Sequence, residues 1–126
     1  MAEDKVLNRE QLRAKKPVQI IPKMYDFILW MIRKVDKFPR SQKFVLGDRI
    51  ESALLDSLSM LVEAQYSPAR EKLVILRRVN LNLEQIRFLI RVSKDLRFLS
   101  LGAYEFSARS LNEIGRQLGG WMKVSG

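Results

Sequence analysis

The segment LVILRRVNLNLEQIRFLIRVSKDLRFLS (Leu73–Ser100) decides the fold, because its apolar residues recur with the period of a long α-helix. Projected at 100° per residue, it has one apolar band able to face a bundle core: Ile75, Leu76, Val79, Leu83, Ile86 and Ile90. A second band lies roughly opposite: Val74, Leu81, Phe88, Leu89, Val92, Leu96 and Leu99. A helix in a lone bundle buries one stripe, so the second band predicts contact with another helix or another subunit.

A positively charged band separates the two apolar bands of this segment. Its members are Arg77, Asn80, Glu84, Arg87, Arg91 and Lys94. One interpretation is a solvated helix face, in which Glu84 pairs with Arg87 one turn away. The other is a binding surface, favoured by eight basic against three acidic residues between Pro68 and Leu99, because guanidinium groups suit phosphate or carboxylate partners. On either interpretation, Arg87 and Arg91 are expected to be replaceable at little cost in stability.

The rest of the chain predicts three further helices and no strand. The first is expected after Pro22 and ends before Pro39, with an apolar stripe of Met24, Phe27, Ile28, Met31, Ile32 and Val35. Ser41 is expected to cap the second, from about Gln42 to Tyr66, and Ser67 the third. A fourth starts near Gly102. The predicted architecture is all-α, an up-down-up-down four-helix bundle over residues 22–123, preceded by a flexible arm at residues 1–21.

Composition restricts the possible functions. The chain has 126 residues, with 23 basic and 14 acidic residues giving a net charge of +9, which favours a polyanionic partner or an acidic protein surface. The absence of cysteine and histidine excludes thiolate and imidazole metal sites and the nucleophilic chemistry that depends on them. Neither a metal, a cofactor nor enzymatic activity is expected. No apolar signal core or membrane span is evident, so a cytoplasmic protein is expected.

The candidate binding residues are basic and the candidate contacts between subunits are apolar. We expect nucleic acid or a protein partner to be bound by Arg77, Arg78, Arg87, Arg91, Lys94 and Arg97, and then by Arg33, Lys34, Arg40 and Lys43. For the subunit interface we expect Leu81, Phe88, Val92, Leu96 and Trp30. Trp30 has a second interpretation, as a stacking partner for a base.

Three stretches together resemble a known family: FPRSQKFVLGDRIESALLD (38–56), LRRVNLNLEQIRFLIRVSKDLRFLS (76–100) and YEFSARSLNEIGRQLGGWMK (104–123). They are similar to the accessory variability determinant (Avd) proteins of diversity-generating retroelements. That family lies within a wider set of four-helix bundle proteins, which includes those encoded in intervening sequences of bacterial ribosomal RNA genes. The resemblance runs from about Met24 to Lys123.

The resemblance implies a homopentameric barrel of four-helix bundles with basic surfaces. It also implies a noncatalytic subunit that binds the retroelement reverse transcriptase and nucleic acid, RNA or DNA, and so supports mutagenic copying of a template RNA that diversifies a target gene. The pentamer follows from the resemblance alone. The alternative is a scaffold that binds only protein, docking an acidic partner without contacting nucleic acid. Binding to bare RNA at physiological salt separates these hypotheses.

Overall fold

The computed structural model describes the backbone of residues 9–126 and the side chains of residues 19–126. Within that range the regular structure is helical, with no strand. The four long helices are α1 (Arg9–Val35), α2 (Asp48–Gln65), α3 (Ala69–Asp95) and α4 (Leu101–Ser125). A short α-helical turn, Arg40–Gln42, and a π-helical segment, Lys43–Gly47, precede α2. The prediction of an all-α chain with four long helices is confirmed.

Each helix packs against its neighbours in chain order, and α4 closes the bundle against α1. Short links between successive helices produce an up-and-down arrangement around one core. The largest fully buried side chains come from all four helices: Ile20, Met24, Met31, Ile50, Leu54, Leu61, Leu76, Leu83, Ile86, Ile90, Leu111 and Ile114. All six residues of the band predicted to face the core on α3 are buried.

The first helix begins earlier than the sequence predicted. We expected it after Pro22, but α1 starts at Arg9 and contains Pro22. Proline removes one hydrogen bond from a helix interior, and here the chain stays helical where Ile20 is fully buried and Ile21 packs against the core. Residues 1–8 of the predicted arm lie outside the described residues, and the flexibility of the arm stays a prediction.

Two predicted helix caps are wrong, and an unpredicted one is present. Pro39 occupies the position that we gave to Ser41, without a side-chain cap. Ser67 donates its hydroxyl to the Glu63 carbonyl at 2.7 Å, at the end of the previous helix, while Pro68 occupies the N-cap position before Ala69, the first residue of α3. Ser100 caps α4 by accepting the amide of Ala103 at 3.0 Å. A serine side chain can hydrogen-bond to the helix before it or to the helix after it, so the sequence alone did not show which of the two it would cap.

The π-helical segment fits the start of α2 against the end of α1. Gly47 is buried there, and a Cβ atom at this position would lie 2.6 Å from Cγ1 of Val35. Carbon atoms need about 3.5 Å or more, so glycine permits this approach. Phe44 and Val45, in the same segment, remain exposed.

Candidate interaction surfaces

The side of α3 that faces away from the core carries a row of exposed apolar residues, which we call the α3 face. Its members, 44–64% exposed, are Val74, Leu81, Phe88, Val92 and Leu96. Four of the five residues expected at a subunit interface therefore lie together on one uncovered surface. Leu89 and Leu99 do not belong to it: Leu89 packs partly against the core, and Leu99, beyond the end of the helix, is buried.

A second exposed apolar surface, the α1–α2 face, was not predicted. It comprises Tyr25 and Leu29 of α1 with Leu55 and Val62 of α2. By helical periodicity, Leu55 and Val62 lie on the side of α2 turned away from the groove that Asp56 and Met60 form with α3. The spacing of these residues carried the signal, but for α1 and α2, unlike α3, only the core stripe was predicted.

Arg87 is held at the contact between α3 and α4. Its guanidinium donates to Oδ1 of Asn112 at 2.7 Å and to the Leu111 carbonyl at 3.1 Å. Its Nε lies 3.3 Å from Oε1 of Glu84, an ion pair without hydrogen-bond alignment. A Cβ at Gly115 would lie 3.2 Å from the guanidinium. These contacts give a reason to expect that replacing Arg87 costs more stability than the sequence suggested, because two of its nitrogen atoms donate to α4.

The other basic residues predicted on α3 separate into held and free side chains. Lys94 is half-buried, 3.3 Å from Oδ1 of Asp95 and 5.2 Å from the ring centre of Tyr104 on α4. Arg77 and Arg91 are exposed beside the α3 face. Arg78, also exposed, borders the groove between α2 and α3. The predicted basic band is thus divided between a helix contact and open surface.

Trp30 lies in an aromatic cluster between α1 and α4. Its ring centre is 5.8 Å from that of Phe27 and 4.5 Å from that of Phe106, and Nζ of Lys34 lies 5.4 Å from the ring. These rings border a groove of about 350 Å³ that also has Lys23 and Arg109 on its rim. The structure does not bring Trp30 onto the α3 face. Its assignment to an interface stays a prediction.

The remaining predicted basic residues lie near the link between α1 and α2. Arg33 and Arg40 are exposed, while Nζ of Lys43 lies 3.5 Å from Oδ1 of Asp36. Partial burial raises the pKa of the Glu51 carboxyl, and the negative charges of Asp36 and Asp48 raise it further against the opposing effect of Lys43. The predicted basic residues near this link therefore differ in how available they are to a partner: Arg33 and Arg40 are exposed, whereas Lys43 is paired with Asp36.

The acidic side chains in the described part of the chain do not gather into a metal-binding cluster of three or more. Glu113, on α4, pairs with Arg116, whose hydrogen bond lowers the pKa of the carboxyl. Among the helices described, none has the length and apolar character needed to span a bilayer. What the arrangement provides is surfaces: two apolar and several basic.

Comparison with known proteins gives one result. Searches among curated proteins and among solved structures give no significant match. The model of the bAvd-like family matches residues 18–125, which include α2, α3 and α4 complete and α1 from residue 18 onward. The resemblance noted in the three sequence stretches is confirmed, and the chain belongs to the bAvd-like family.

Proposed function

We propose that the protein is a noncatalytic accessory subunit of a diversity-generating retroelement, which self-associates and binds the reverse transcriptase and nucleic acid. Membership of the bAvd-like family supports the retroelement role. The observation that carries the rest is the pair of uncovered apolar faces on a chain with a net charge of +9. One chain alone leaves both faces in water, which is unusual for a small monomeric protein.

Self-association is supported by the two uncovered faces; of the helices that bear the α1–α2 face, only α2 is opposite in net charge to α3, since α1 is basic. Between Asp48 and Gln65, α2 has four acidic residues and one basic residue, whereas α3 has seven basic and three acidic residues. Two different surfaces that fit each other produce a head-to-tail contact, which closes into a ring when the rotation between subunits allows it. The five-fold barrel expected from the family is such a ring.

Binding of nucleic acid is supported by exposed arginines outside the α3–α4 contact. Arg77, Arg78 and Arg91 are available to phosphates, and a ring would repeat them around its circumference. The same charges would serve an acidic surface of the reverse transcriptase. The proposed role of the protein is to hold template and enzyme together without taking part in the chemistry.

The deciding experiment expresses the protein with its reverse transcriptase and measures RNA binding separately. We expect the two proteins to purify together and the isolated protein to bind single-stranded RNA at physiological salt. A complex with the enzyme but no RNA binding would establish the protein-only scaffold instead. Absence of both activities would overturn the proposed function.

A further inference from the structure

The α1–α2 link and the α3–α4 link lie at the same end of the bundle, which we call the link end. The segments around it, residues 33–49 and 91–105, have nine basic and four acidic residues. This excess of positive charge makes the link end a candidate surface for a polyanion.

An aromatic contact holds the two links together. The rings of Phe38 and Phe98 are 5.6 Å apart, and Phe38 is buried. Lys37 and Arg97 directly precede these two phenylalanines, and Arg40 follows two residues after Phe38. Lys37, Arg40 and Arg97 are exposed, and no ion pair joins them to any described residue. Two exposed cations of one link and one of the other therefore adjoin this aromatic contact in the sequence, without an ion-pair partner among the described residues.

The backbone of Arg97 gives an independent reason to assign a function to its side chain. Arg97 has φ 67°, the left-handed region, and is the one described non-glycine residue with a positive φ. Its amide donates to the Lys94 carbonyl, and the next amide, of Phe98, donates to the Ser93 carbonyl. This is the Schellman ending of a helix, whose left-handed position is usually glycine or asparagine. An arginine here keeps a cation at a conformational cost that glycine would avoid.

We propose that Lys37, Arg40 and Arg97 form a binding site for the phosphate backbone of single-stranded nucleic acid at the link end. The inference rests on the proposed nucleic-acid function and locates it. Cations on two links can contact successive phosphates of a strand that crosses the end of the bundle, and arginine forks suit phosphate oxygens. Lys37, between Asp36 and Phe38, was not among the sequence candidates.

The test compares two arginines at opposite ends of α3, Arg97 just beyond its last residue and Arg70 in its first turn. Arg97→Asn removes the link-end charge and places a residue that tolerates the left-handed backbone. Arg70→Asn removes an exposed charge from the first turns of α3, at the opposite end. Each full-length variant is titrated with a fluorescein-labelled single-stranded RNA of about 20 nucleotides over a series of salt concentrations, with thermal unfolding measured in parallel.

We expect Arg97→Asn to weaken RNA binding several-fold and to flatten the slope of log affinity against log salt by about 0.7 for each lost phosphate contact. Its melting temperature should equal or exceed that of the unchanged protein, while Arg70→Asn should leave binding nearly unaltered. Arg40→Gln combined with Arg97→Asn should weaken binding further.

Equal losses in the Arg70 and Arg97 variants would overturn the site but keep the general function. A lower affinity for the reverse transcriptase with unchanged RNA binding would also overturn it. Absence of RNA binding by the unchanged protein would refute the proposed function itself.

Discussion

Two parts of α3, the α3–α4 contact and the flank of the α3 face, use similar residues for different purposes. Arg87 and Arg91 are one turn apart, yet Arg87 donates to Asn112 and Leu111 of α4 while Arg91 is exposed to solvent. The difference is a rotation of about 40° around the helix axis. Residue type and spacing did not separate the two roles. The position of the neighbouring helix did.

The strongest test of this difference is Phe88→Glu on the α3 face. A charge placed in a desolvated subunit contact should break the assembly, leaving particles of one chain mass, 14.7 kDa, in light scattering. The helices should persist in circular dichroism, because Phe88 is 64% exposed in the chain itself. An assembly of unchanged mass would exclude the α3 face as the contact.

A mixing experiment sharpens the same test. Val62→Glu should break the assembly from the α1–α2 face, and each variant then retains one intact surface. In a head-to-tail contact, mixing Phe88→Glu with Val62→Glu protein should produce dimers, which neither variant forms alone. If the α3 face instead pairs with itself, the mixture should contain no dimer joining the two different variants.

The next largest effect is expected at the α3–α4 contact. Arg87→Met should lower the free energy of unfolding by about 1–2 kcal/mol, because it removes two hydrogen bonds that join the helices. Arg91→Met is the matched control and should change it by less than about 0.5 kcal/mol. Chemical denaturation of both variants, in a background that does not assemble, measures the difference. Equal stabilities would show that the Arg87 contacts contribute nothing net.

A smaller effect is expected when the charge of Arg91 is reversed. Arg91→Glu should keep the fold and weaken RNA binding, with a flatter salt dependence, if this flank of α3 meets phosphates. A salt titration of RNA binding, with circular dichroism as the check on folding, measures it. Unaltered affinity and slope in the folded variant would mean that Arg91 belongs to a solvated face. The link end would then remain the proposed binding site for nucleic acid.

The smallest effect should come from Glu51, outside both parts of α3. Its pKa is raised in the folded protein, so folding favours the protonated form. The contribution of Glu51 to the free energy of unfolding should be greatest below the ordinary pKa of glutamate and should decrease as the pH rises through the raised value. Glu51→Gln should therefore raise the melting temperature slightly at pH 7 and have almost no effect near pH 3. An effect that is equal at both pH values would contradict the assignment.

The sequence predicted what depends on periodicity. The core band of α3, the four long helices and the uncovered α3 face all follow from apolar residues at helical spacing. The sequence did not predict contacts that depend on where a neighbouring helix lies, such as the hydrogen bond from Arg87 to Asn112 on α4. The start of α1 was missed because proline was taken as a boundary, whereas burial of Ile20 continues the helix beyond it.

The π-helical segment before α2 marks a place where the chain can lose one residue and keep its register. A π-helix bonds each amide to the carbonyl five residues back, one residue farther than an α-helix does. The five residues Lys43–Gly47 therefore cover roughly the rotation and rise of about four α-helical residues. Deleting the exposed Phe44 or Val45 would let an ordinary α-helix form there, with Phe38 still beside Phe98. A deletion of one residue within the regular part of α2 would instead turn everything upstream by about 100°.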